Sequence, residues 1–108
     1  MYVRIVTFAL ADLAPEAYTA HAEQIAAAFI AWPVLLTKVW LADPDTNTYG
    51  GVYVFASRDA AQASRDTAVF GGLLDSPHFA ELSIREFAVL DGPTAVTGGA
   101  LTQRQRTT

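Results

Sequence analysis

The chain has 108 residues, 52% of them hydrophobic and 17% charged, with a net charge of −4 and no cysteine. That length suits one domain with one core, and the lack of cysteine excludes disulfides, thiolate chemistry and Cys-ligated metal. Residues 1–98 hold all 11 acids and only five of the seven bases, an acidic domain without the basic stripe that nucleic acid requires.

Tyr2 to Leu10 reads as a strand with both faces largely apolar. Pro15 and Glu16 suit the first turn of a helix that runs to about Ala31, with Tyr18, Ala22, Ile25 and Phe29 as its buried stripe. Trp32-Pro33 ends that helix, because proline disfavours helical geometry in the residue before it. Val34 to Ala42 is the second strand, and Asp43 to Thr48 is dense in turn formers. Gly51 to Ala56 is the third strand, and Gly50-Gly51 at its start predict a bulge or a close backbone contact. Ser57 N-caps a second helix expected to stop at Gly71-Gly72. Leu73 to Phe79 is a connector with a helical turn at Ser76-Pro77, and a fourth strand runs from Glu81 or Leu82 to Leu90. Residues 1–93 form the expected domain, and 94–108 read as a mobile tail.

The order βαββαβ predicts a ferredoxin-like α+β fold, a four-stranded antiparallel sheet with both helices on one face. The apolar content exceeds what one small interior can hide, so the bare sheet face needs cover, and a two-fold pairing of sheets supplies it. A homodimer, a dimeric α+β barrel, is the expectation. No apolar run approaches the roughly 20 residues of a transmembrane helix. The N-terminus opens into a strand pattern without a signal-like apolar core, so no membrane partner and a cytoplasmic location are expected.

Lys38-Val39-Trp40, a polar turn, then Gly50-Gly51-Val52-Tyr53-Val54-Phe55 form the hairpin that carries a family resemblance. This pattern resembles the YdhR-like monooxygenase family, small proteins with a Lys-Val-Trp strand followed by Gly-Gly-aliphatic-Tyr-aliphatic-Phe. The resemblance implies the dimeric α+β barrel fold. It also implies kinship with cofactor-free oxygenases that act on polycyclic phenols and quinol precursors, although fold alone does not fix function.

The candidate site residues each carry two readings. Lys38 and Trp40 are two apart and share a strand face. Trp40 is either a core indole or the wall of an aromatic pocket. Lys38 either snorkels to solvent or stabilises a phenolate or enolate that must form before reaction with O₂. Tyr53 is a packing residue or a second donor to that anion. His78 is a loop histidine or a general base, and Phe79 beside it is core or cavity wall. On the first helix, Tyr18 belongs to the buried stripe and is a candidate substrate contact. His21, one turn on, borders the same stripe and is either a boundary residue or a pocket residue. Arg85 shares the face of Phe87, and an ion pair at the sheet edge or dimer seam is its expected role.

Two isolated histidines, no His-x-x-x-His and no Gly-x-Gly-x-x-Gly leave metal, flavin, nicotinamide and nucleotide without a recognised cradle. The expected function is cofactor-free monooxygenation of a small aromatic, hydrophobic compound, with His78, Lys38 and Trp40 as catalytic candidates. Tyr53, Tyr18, His21 and Phe79 are the substrate-binding candidates. The alternative is a non-catalytic dimer that carries a lipophilic ligand, or a haem binder with His21 as its ligand. Sequence leaves open whether Lys38 and Trp40 face a pocket or the dimer seam.

Overall fold

A computed structural model describes residues 1–30, 32 and 35–98. The elements run β1 (Tyr2–Leu10), α1 (Pro15–Ile30), β2 (Leu35–Asp43), β3 (Thr48–Phe55), α2 (Arg58–Ser64), α3 (Ala68–Asp75), β4 (Phe79–Ala88) and α4 (Asp91–Val96). The strands make one antiparallel sheet in the order β2-β3-β1-β4. Helices cover one face, as the ferredoxin-like pattern requires.

Register fixes which side chains meet the helices. Arg4 pairs with Tyr53 and Glu86, Gly51 with Val6 and Trp40, and Lys38 with Tyr53. Directly opposed residues share a face, so these side chains all stand on the helix side. The alternate set, including Val3, Ile5, Val39, Val52, Val54 and Phe87, makes an apolar outer face; Val39 and Phe87 are exposed.

Gly50 meets the predicted close backbone contact. Its φ is 148°, and a Cβ there would lie 1.9 Å from the Val6 carbonyl oxygen, so no other residue fits. The polar turn is closed by Asn47, whose side-chain amide donates to the Leu10 carbonyl at 3.2 Å and whose oxygen accepts from the Leu10 N–H at 3.4 Å.

The sequence expectation of one second helix is corrected. Ser57 does cap α2, accepting from the Ala60 N–H at 3.1 Å, but the helix ends at Ser64. Thr67 takes extended geometry and caps a separate α3, accepting from the Phe70 N–H at 3.2 Å. Gly71-Gly72 therefore sit inside α3 and do not stop it. β4 also starts earlier than expected, at Phe79, with a register shift opposite Phe8 where Glu81 adopts φ 55°. That bulge reverses the alternation of the strand and aims Phe79 at the helix side. The expected domain end at residue 93 falls within α4, Asp91–Val96; residues 99–108 of the expected tail lie outside the described residues, as does Pro33.

One end of the helix layer is pinned by a buried charge. Arg4, fully buried, donates from Nε to Glu86 Oε2 at 2.6 Å, from Nη1 to Ser64 Oγ at 2.9 Å and from Nη2 to the Ala61 carbonyl at 2.7 Å. Arg65 adds a second bond to the same Glu86 oxygen at 3.0 Å. Burial alone would raise the Glu86 pKa; the hydrogen bonds and charges of the two arginines outweigh it and hold the carboxyl below its ordinary value. Arg85, expected to make an ion pair at the sheet edge or dimer seam, is in none of the described ion pairs and lies over the Phe87 ring at 5.1 Å on the outer face, while Glu86 pairs on the helix side with Arg4 and Arg65. Among the described residues no helix is long and apolar enough to cross a membrane.

Candidate functional site

Away from the Arg4 tie, α1 and α3 stand off from the sheet. A cavity of about 550 Å³ lies between them, walled mainly by Phe8, Tyr18, Ile25, Phe29, Trp32, Trp40, Val69, Phe70, Leu73 and Phe79. This explains the uneven burial of the α1 stripe. Tyr18 and Phe29 at its ends are buried, while Ala22 and Ile25 between them are half-exposed because they look into the cavity. The volume falls within the range of small-molecule pockets.

All seven catalytic and substrate-binding candidates (Tyr18, His21, Lys38, Trp40, Tyr53, His78 and Phe79) line this one cavity. The open question about Lys38 and Trp40 is thereby answered. They face the helix side, away from the bare sheet face.

Lys38 sits in a cage of rings. Its Nζ lies 3.4 Å from the Trp40 ring centroid, 3.5 Å from Phe29 and 4.5 Å from Tyr53. The rings stabilise a cation through their π faces. Burial penalises the charged form and lowers the amine pKa to about 7. The described ion pairs join Met1 to Asp91 and Arg4 and Arg65 to Glu86; none includes Lys38. The cage rings support each other, with Phe29 edge-on to Trp40 at 5.4 Å and Trp32 stacked on Tyr53 at 5.8 Å. Tyr53 is further held from its far side by the Arg4 guanidinium at 5.9 Å.

Burial raises the Tyr53 hydroxyl pKa despite the charge of Arg4, and raises that of Tyr18 with a smaller contribution from Tyr49. Both phenols therefore stay protonated and act as donors at neutral pH.

His78 lies in the turn between α3 and β4. Its Nδ1 is 2.9 Å from the Ala11 carbonyl, and its own carbonyl accepts from the Ala11 N–H at 2.9 Å. A carbonyl only accepts, so Nδ1 carries the proton and Nε2 of the neutral ring is left as the acceptor. The ring is half-buried at the cavity. His21 lines the cavity from α1 but is otherwise exposed. Phe79, turned inward by the bulge, stacks on Phe8 with centroids 4.1 Å apart. Among the described residues no group of three or more His, Cys, Asp or Glu is placed to hold a metal ion.

Residues 5–100 match the protein family described as "Putative mono-oxygenase ydhR". The chain belongs to this family. No curated relative was found. Among solved structures it is similar to SnoaB from Streptomyces nogalater, a cofactor-independent oxygenase, with 17% identity, a TM-score of 0.68 and coverage of 83% of this chain and 93% of that one. It is similar to the heme-degrader MhuD from Mycobacterium tuberculosis, with 20% identity, a TM-score of 0.66 and coverage of 83% and 96%. It is also similar to an antibiotic biosynthesis monooxygenase, with 15% identity, a TM-score of 0.64 and coverage of 83% and 99%. At these identities the likeness establishes a shared fold. Family membership adds a monooxygenase-like role.

Sequence reading did not mark Phe29 and Trp32 as site residues. Phe29 was visible as core and Trp32 as the end of a helix; neither position signals that the Phe29 ring closes on a lysine from another element, or that Trp32 packs against Phe29 and Tyr53 behind it.

Proposed function

We propose that this family member oxygenates a small aromatic phenol or quinol precursor in the helix–sheet cavity without a metal or flavin. The observation that carries the reading is the Lys38 amine caged by Trp40, Phe29 and Tyr53 at the wall of an aromatic-lined cavity.

The chemistry follows from the donors. His78 Nε2 removes a phenolic proton, and the Lys38 ammonium and Tyr53 hydroxyl hold the resulting anion. Delocalisation of that charge makes a ring-bound methylene carbon electron-rich. That carbon gives up electrons and two hydrogens as O₂ adds. One oxygen atom stays as a carbonyl, and the other leaves as water. The substrate supplies all the electrons. The apolar walls exclude water and orient the flat ring against Trp40 and Phe79.

A second copy of the chain over the outer sheet face completes the proposal, since six apolar side chains there otherwise meet solvent.

Oxygen uptake by purified, metal-free protein with anthrones, naphthols and hydroquinones tests the reading. Uptake should exceed the protein-free rate and fall about tenfold or more in Trp40→Phe or His78→Ala, as loss of a positioned general base or ring wall does. Ligand binding with no uptake by any compound would replace the oxygenase reading with that of a carrier. A Soret band on mixing with haem, lost in His21→Ala, would favour haem instead.

A further inference from the structure

Lys38 is the single lysine of the chain. Lysine is ordinarily a surface residue, yet this one is half-buried against three rings, with its Nζ 3.4 to 4.5 Å from their centroids. Gly51 clears the way for its stem, because a Cβ there would lie 2.8 Å from Lys38 Cε. A lysine kept only as a fixed charge is held charged by a carboxylate or by water. Lys38 faces three rings at the cavity wall, and none of the described ion pairs includes it.

We propose that the Lys38 amine captures an aromatic aldehyde or ketone from the cavity as a reversible Schiff base. This rests on the reading of the cavity as an aromatic-ligand site and does not depend on whether oxygen is consumed there. The neutral amine is accessible because burial brings its pKa to about 7. Its lone pair attacks the carbonyl carbon, and the π pair moves to oxygen. A proton passes from nitrogen to oxygen, giving a carbinolamine. The hydroxyl, protonated a second time from solvent, leaves as water while the nitrogen pair forms the C=N bond. The resulting iminium returns its proton to the medium, and no oxidant or reductant enters. An aryl group joined to that carbon lies among Phe29, Trp40 and Tyr53, and the apolar walls slow the return of water.

The test uses the full chain with 1-naphthaldehyde and sodium cyanoborohydride near neutral pH, read by intact mass and peptide mapping. The Met1 amine is the internal reference, since it is the other primary amine of the chain. The expected result is an adduct on Lys38, heavier by the aldehyde less one oxygen atom, that forms about tenfold faster than the Met1 adduct. Excess 2-naphthol should slow it, and Gly51→Ala, which displaces the lysine stem, should reduce it. In Lys38→Met only Met1 should react. Binding of 2-naphthol, followed by tryptophan fluorescence, separates the two readings. Naphthol bound with Lys38 labelled no faster than Met1 overturns the Schiff base and leaves the cavity reading standing. Failure of both overturns both.

Discussion

The Lys38 amine links the site to stability. Its pKa is about 7 in the folded chain and near 10.4 in an unfolded one. Below pH 7 both states are protonated, and the folded state bears the full penalty of a buried charge. Between those values the unfolded chain binds more protons, so stability rises with pH across that window. Lys38→Met should therefore be more stable than wild type near pH 6, and the gap should narrow toward about pH 10. Thermal unfolding of both proteins across this range checks it; a gap independent of pH would mean that the amine titrates normally. Lys38 and Trp40 were legible as a pair from their spacing alone. Their environment was not, since the rings closing on Lys38 come from α1 and β3.

At the scale of elements, Arg4 fixes α2 to the sheet. It ties β1 to β4 through Glu86 and to α2 through Ser64 and Ala61, and it backs the Phe55 and Phe70 rings at 5.0 Å. Removing one partner of a buried pair strands the other, so Arg4→Met should lose about 3 kcal/mol in denaturant unfolding. A loss under about 1 kcal/mol would assign the network no more than a surface bridge's worth. The sequence made Arg4 look like a polar interruption in an apolar strand, because its partners lie 57 to 82 positions away. The break between α2 and α3 was hidden for a different reason. Gly71-Gly72 is the stronger stop signal by composition, whereas the real break depends on the extended backbone and capping hydroxyl of Thr67. The order of elements along the chain, the α1 stripe and the Ser57 cap were readable because each follows from local chemistry and periodicity.

Over the whole molecule, the two sheet faces divide the work. The helix side carries the cavity, and the outer side carries Val3, Ile5, Val39, Val52, Val54 and Phe87. Val52, central on that face, is the position at which a charge should separate two copies. Sedimentation should find the wild type as a dimer and Val52→Arg as a folded monomer; a monomeric wild type would remove the paired-sheet arrangement. The histidines, the hairpin and the turn before β4 were visible in sequence as scattered candidates. The β4 bulge at Glu81, the stand-off of α1 and the cross-strand register bring them to one cavity, and those are properties of the assembled fold.

The central claim is that this cavity inserts an oxygen atom from O₂ into an aromatic substrate with no cofactor. The most direct measurement is the product mass after turnover of an anthrone by metal-free protein under isotopically heavy O₂. The account predicts one heavy oxygen per product in the wild type, reduced to the protein-free level in His78→Ala. Product oxygen drawn from water, or turnover only after a metal or flavin is added, would contradict it.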